Sequence, residues 1–140
     1  MTKFLKDINL KGKIALVTGA TKGIGRSASI SLHHVGASII AIGRNKNELN
    51  SLKRKLKTRV KCIECDVNDY EKIRKEIKNL KKIDILVNNA GTNLPEPFLE
   101  VKKSSLEMLL EINTKSAFNI AKLCTDKILE LKDRKKVGAS

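Results

Sequence analysis

The residues best placed to do chemistry in this chain are three glycines. Gly19, Gly23 and Gly25 follow a short apolar run, Ile14-Ala15-Leu16-Val17, with Thr18, Thr21, Lys22 and Ile24 set among them. Glycine adopts positive φ without steric cost and lets a backbone approach a ligand closely. The apolar run has the pattern of a strand buried on both faces, and the glycines open a helix. A buried strand, a glycine turn and a helix N-terminus aim bare N–H groups and the positive end of the helix dipole at one point, which is the chemistry of a phosphate site. The spacing is G-x-x-x-G-x-G, not the G-x-G-x-x-G dinucleotide fingerprint. No Gly-Lys-Ser/Thr follows at P-loop spacing. On its own, this turn also fits a glycine-rich strand–helix connection that holds no ligand.

Four further groups sit where such a site could use them. Gly43-Arg44 ends a second apolar run, with no acidic residue before Glu48. A ribose 2′-hydroxyl is usually met by a carboxylate at that strand end, whereas a 2′-phosphate needs positive charge. Arg44 can pair a phosphate in bidentate fashion, and Lys22 adds a second cation; both also read as two surface cations among many. Asp66-Val67 follows a third apolar run and Asn88-Asn89-Ala90-Gly91 a fourth. Each has a bland reading as turn chemistry. Asn113 interrupts the apolar side of a long helical pattern, where a buried amide costs free energy unless it is partnered.

Other chemistries are disfavoured. Cys62 and Cys65 lie in one apparent strand at a spacing that sends them to opposite faces. No second C-x-x-C and no H-x-x-x-H completes a four-ligand set, so no metal is expected. The three cysteines read as small buried residues of a reducing compartment, and a cytoplasmic protein is expected. His33 and His34 have no Ser, Cys or carboxylate in register and read as a helix end. The net charge of +14 is spread along the chain, with 3% aromatic residues and no Trp. That predicts a solvated basic surface and no nucleic-acid partner. No apolar run is long enough to span a bilayer, and residues 1–12 lack a signal-peptide core, so no membrane partner is expected.

The elements that must position these groups alternate from residue 13 onward, the signature of a parallel sheet with helices on its faces. Strands are expected over 13–18, 38–42, 59–65 and 83–87. A first helix over 23–35 has Ile24, Ala28, Leu32 and Val35 on its apolar face. A second starts at an Asn45/Glu48 capping box and buries Leu49, Leu52 and Leu56. A third starts at an Asn68/Glu71 box and buries Ile73, Ile77 and Leu80. A loop over 88–97 precedes one long helix from Ser104, capped by Glu107, to about residue 132. Residues 137–140 read as a strand cut at its start.

The string Thr18-Gly19-Ala20-Thr21-Lys22-Gly23-Ile24-Gly25 resembles the cofactor turn of the short-chain dehydrogenase/reductase family. Asp66-Val67, Asn88-Asn89-Ala90-Gly91 and Asn113 match three more of its motifs, in order and in register. The resemblance covers residues 11–140 and implies an α/β, Rossmann-type doubly wound sheet of order 3-2-1-4 with a stub of strand five. The function it implies is hydride transfer between a nicotinamide cofactor and a small-molecule carbonyl or secondary alcohol. By that resemblance the glycine turn holds pyrophosphate, Asp66 and Val67 hold adenine, and Asn89, Ala90 and Gly91 wall the cofactor. Asn113 would steady a relay water. Lys22 with Arg44 resembles the NADP-preferring members, so NADP(H) is expected over NAD(H).

The family's proton donor is a Tyr with a Lys four residues on, aided by a Ser. A phenol of pKa about 10 needs such a cation to work near neutrality. This chain's one tyrosine, Tyr70, falls on the third helix with Arg74 four residues on, so it is not that donor. Residues 1–140 therefore read as one NAD(P)-binding domain, the N-terminal part of a longer reductase resembling xylulose or 3-oxoacyl-carrier-protein reductases. Alone, it is expected to bind cofactor without turnover; the full-length form is expected to be a homodimer or homotetramer. The alternative is a non-catalytic dinucleotide-binding or assembly module that works at this length.

Overall fold

The alternating pattern folds as a four-stranded parallel sheet. The structure, a computed structural model, describes residues 7–137, with side chains as far as residue 129. Its elements are β1 (Ile14–Thr18), α1 (Gly23–His34), β2 (Ser38–Gly43), α2 (Lys46–Leu56), β3 (Val60–Glu64), α3 (Tyr70–Lys78), β4 (Ile85–Val87), α4 (Lys103–Leu110) and α5 (Ala117–Val137). A 3₁₀ turn, Phe98–Glu100, precedes α4, and a π-helical turn, Glu111–Ser116, joins α4 to α5. The strand order is β3-β2-β1-β4. Leu16 pairs with Ile40 on one side and Leu86 on the other, which makes β1 central.

Period-two alternation divides β1 between two cores. Leu16 joins Ile40, Ile42, Ile73, Ile77, Ile120 and Cys124 beneath α3 and α5. Ala15 and Val17 join Ile39, Ala41, Leu49 and Leu52 beneath α1 and α2. Each fully buried Leu or Ile contributes about 2 kcal/mol through area removed from water. Cys62 packs against the second core and Cys65 belongs to the first, so the pair does face opposite ways.

Capping explains where α2 and α3 start. Asn45 Oδ1 accepts from the Glu48 N–H at 3.0 Å, as expected. The expected cap at Asn68 is displaced by one residue: Asp69 Oδ1 accepts from the Lys72 N–H at 3.1 Å. Asn68 is otherwise engaged, because its N–H donates to Asp66 Oδ1 and its side chain meets Ser116.

Three other expectations are corrected. The buried face of α1 is Gly25 and Ser29, while Ile24 is 80% exposed. The helix comes closest to the sheet at Gly25, where a Cβ would not fit, while the expected Leu32 packs half-buried against the core with Ile30. The long helix is broken in two by the π-helical turn. It starts at Lys103 with no side-chain cap, and Glu107 pairs instead with Lys103 at 3.8 Å. Finally, α5 continues through Val137, so the strand expected over 137–140 does not begin there; 138–140 lie outside the described residues, as does the 1–6 lead-in. Among the described residues nothing pairs with the outer edge of β4.

Asp84 fastens the start of β1. Its Oδ2 accepts from the Ile14 N–H at 2.8 Å, and its Oδ1 lies 3.0 Å from Lys82 Nζ and 3.7 Å from Lys13 Nζ. Burial pushes this carboxyl up, but the Ile14 N–H, Lys82 and Lys13 outweigh that and hold it below its ordinary value. The unfolded chain then binds this proton more readily. The stabilisation is complete above about pH 4 and drains away as pH falls through the lower, folded value. Asp84→Asn is expected to cost about 1 kcal/mol at pH 7 and to flatten the acid limb of stability against pH, measured by urea melts below pH 5. An unchanged acid limb would remove this carboxylate from the balance.

Candidate functional site

All four strands end on the same side, and the turns that follow β1, β2, β3 and β4 meet there around a cavity of about 460 Å³. A parallel sheet binds ligands at this edge because helix N-termini and strand ends converge on it. Gly19, Thr21 and Lys22 line the cavity from the first turn, Gly43, Arg44, Asn45 and Glu48 from the second. Cys65, Asp66 and Val67 line it from the third turn, and Asn89, Ala90, Gly91 and Thr92 from the fourth. Ile112 comes from the π-helical turn. Thus most of the residues singled out by motif share one concavity.

Gly23, Ile24 and Gly25 lie outside the lining, and the glycines set the turn beside it in different ways. Gly19 and Gly23 take φ of +63° and +55°, which side-chain-bearing residues avoid. Gly25 has ordinary φ, but a Cβ there would run into the Gly19 carbonyl and Asn89 Nδ2. A Cβ at Gly43 would meet Thr21 Cγ2. At Gly23 there is open space instead. The amino end of α1 begins at Lys22 with no side-chain cap, unlike α2 and α3. Its first N–H groups therefore remain available to an anion.

Thr18 and Asn89 pin the turn to β4. Thr18 is fully buried, and its Oγ1 accepts from the Asn89 N–H at 3.0 Å and the Ala90 N–H at 2.9 Å. Asn89 Nδ2 donates to the carbonyl of Thr18 at 3.0 Å. Thr18 thus does not line the cavity but sets two segments that do. Asn88 turns the other way and donates to the Ala117 carbonyl at 2.6 Å, tying β4 to α5.

Charge gathers at the rim. Arg44 Nη1 lies 3.6 Å from Asp66 Oδ2, with the Arg side chain 73% exposed. Such a pair is weak and yields readily to a stronger anion. Cys65 Sγ donates to the Asp66 carbonyl, and burial pushes its thiol pKa up, so it is a neutral wall residue.

Asn113 is exposed, not buried as the helical pattern suggested, and lies outside the cavity lining. Both ends of its amide meet one loop residue: Oδ1 accepts from the Thr92 N–H at 2.8 Å and Nδ2 donates to the Thr92 carbonyl at 2.9 Å. The π-helical turn that carries it is held by Ser116, whose Oγ lies 2.9 Å from the Glu111 carbonyl and 2.6 Å from Asn68 Oδ1. Tyr70 is not among the lining residues.

Reading the motifs missed Asn45, Glu48, Thr92 and Arg26. Arg26 offered a hint, because a cation one turn into a helix opposes the dipole. Its guanidinium answers that conflict by bridging the glycine turn to α2. Among the described residues, no group of His, Cys, Asp and Glu is arranged to hold a metal, and no helix is long and apolar enough to cross a membrane.

Known proteins share this architecture. The crystal structure of a Sinorhizobium meliloti 1021 protein assigned, without established activity, as a short-chain alcohol dehydrogenase superposes with a TM-score of 0.78 at 31% identity, over 86% of this chain and 50% of that one. L-xylulose reductase of Mus musculus is 36% identical over 117 residues, 84% of this chain and 48% of that protein. Carbonyl reductase (NADPH) 2 of Sus scrofa is 32% identical over 124 residues, 89% of this chain and 50% of that protein. The chain thus spans about half the length of the curated relatives it matches. The short chain dehydrogenase profile matches residues 13–138, which include every element from β1 to α5. On that extent of agreement, this chain belongs to the short-chain dehydrogenase family.

Proposed function

We propose that this chain is the NADP(H)-binding part of an oxidoreductase that interconverts a carbonyl and a secondary alcohol. The observation that carries the reading is the uncapped amino end of α1 beside a cavity with Lys22 and Arg44 at its rim. A dinucleotide fits that arrangement. Its pyrophosphate would take the free N–H groups of the Gly19–Gly25 turn, and Ile24, exposed beside them, would border it. The 2′-phosphate would take Lys22 and Arg44, with Arg44 exchanging Asp66 for the stronger anion. Asp66 and Val67 would hold adenine, and Asn89, Ala90 and Gly91 would wall the far side.

When bound, the nicotinamide supplies or accepts the hydride. The chain's own residues bind, orient and shield. Asn113 keeps Thr92 in place, and its amide retains one acceptor and one donor position for a relay water. No residue of this sequence offers a Tyr-x-x-x-Lys pair, so the 140-residue chain is expected to bind without turning over. Phe98, Leu99, Leu106, Leu110 and Phe118 form exposed apolar surface around α4 and α5. This supports self-association of the full-length form as a homodimer or homotetramer. The three free cysteines fit a reducing, cytoplasmic setting.

Fluorescence titration with NADPH and NADH tests the reading. The chain is expected to favour NADPH, and Arg44→Asp is expected to weaken NADPH by about tenfold or more while leaving NADH within about twofold. NADPH affinity untouched by Arg44→Asp would overturn the NADP(H) assignment.

A further inference from the structure

Arg26 stands behind the cavity wall and joins two parts of it. Its side chain is 22% exposed. Nη1 donates to the Thr21 carbonyl at 3.4 Å and the Glu48 carbonyl at 3.2 Å, and Nη2 donates to Ser51 Oγ at 3.0 Å. Thr21 belongs to the glycine turn, next to Lys22. Glu48 and Ser51 belong to the first half of α2, whose cap is Asn45 and whose preceding residue is Arg44. One rigid planar fork therefore spans the gap between the segments that carry the two rim cations. A flexible or apolar side chain could not hold three oxygens in that geometry.

The same guanidinium also faces a charge problem. Glu48 lines the cavity, and a carboxylate there repels a phosphate. Arg26 Nη1 lies 4.0 Å from Glu48 Oε2, close enough to offset that charge. We propose that Arg26 is a positioning residue for cofactor selectivity: it sets the spacing of Lys22 from Arg44 and offsets Glu48, so that a phosphorylated ribose is accepted there. This rests on the cofactor reading above and extends it to a residue that does not touch the cavity.

The test compares NADPH and NADH binding to the 140-residue chain and to its Arg26→Met, Arg26→Lys, Glu48→Gln and Arg26→Met/Glu48→Gln variants. Arg26→Met is expected to lose about tenfold in NADPH affinity and about twofold or less in NADH affinity. Arg26→Lys keeps the charge without the fork and falls between. Adding Glu48→Gln to Arg26→Met recovers part of the NADPH loss. Glu48→Gln alone, its charge already offset by Arg26, raises NADPH affinity less than the same exchange does in the Arg26→Met chain. Equal losses for both cofactors in Arg26→Met, or none, would overturn the proposal and leave the NADP(H) reading standing. So would a Glu48→Gln exchange that raises NADPH affinity as much with Arg26 present as without it; should Arg26→Met fail to fold, an Arg26→Lys chain whose ratio of NADPH to NADH affinity matches the parent overturns the proposal likewise. A parent chain that binds neither cofactor removes the cofactor reading and this inference with it.

Discussion

Gly25→Ala is expected to abolish cofactor binding and to cost the fold about 2–3 kcal/mol, although alanine is the better helix former. The two effects oppose each other. Replacing glycine in a helix interior gains about 1 kcal/mol of propensity. Against it, the added methyl lands on the Gly19 carbonyl and Asn89 Nδ2, and neither can swing aside. One is backbone in a turn with positive φ, and the other is hydrogen-bonded to Thr18. Relief requires α1 to lift off the sheet, which moves the very N–H groups that would meet a pyrophosphate. Gly23→Ala is the control. It carries the strain of a φ of +55° but meets nothing within 4 Å, so its cost is expected near 1–2 kcal/mol. Urea melts and NADPH titrations of both variants decide the matter. A Gly25→Ala chain as stable as the parent would show that α1 does not approach β1 as closely as described.

Thr18→Val is expected to cost the fold about 3 kcal/mol, with a smaller loss of cofactor binding than Gly25→Ala, because it orphans two N–H groups at once. The exchange keeps the shape and removes the acceptor. Asn89 and Ala90 would then present their N–H groups to a methyl at the fully buried Thr18 side chain. Thr18→Ser makes the complementary change. It keeps the hydroxyl and loses a methyl, which costs about 1 kcal/mol. The cavity wall over Asn89–Gly91 is expected to shift in the Val variant alone, with NADPH affinity down about tenfold or more. Were the Ser variant as damaged as the Val variant, packing rather than hydrogen bonding would be what Thr18 contributes.

Much of the scaffold was legible because it depends on local rules. The Asn45 cap and the Leu49, Leu52, Leu56 stripe follow from helical spacing alone, and all are observed. Opposite placement of Cys62 and Cys65 follows from the period of a strand. Where two local solutions competed, spacing could not choose between them. Asn68 and Asp69 can both cap α3, and the choice falls to Asp69 because Asn68 is drawn toward Asp66 and Ser116. On α1, hydropathy favoured Ile24 as a core residue, yet Gly25 and Ser29 face the sheet. Their size permits a close approach that an apolar scale does not register. Apolar spacing hardly changes across the break between α4 and α5, so the spacing predicts one continuous helix there. The π-helical turn is stabilised by contacts with the 88–97 loop and with Asn68, elements far back along the chain.

The amino-acid sequence by itself determined the strand–helix alternation, the parallel sheet and the glycine turn at the end of its first strand, because those follow from side-chain period and from φ, which act over one or two turns of chain. Only the tertiary structure decided that Thr18 serves Asn89, a residue 71 positions away, that Asn113 faces outward to clamp Thr92, and that Arg26 ties the glycine turn to α2. Partners so distant are chosen by how the finished sheet brings strand ends together and by which buried polar groups must then be satisfied; no local preference carries that information.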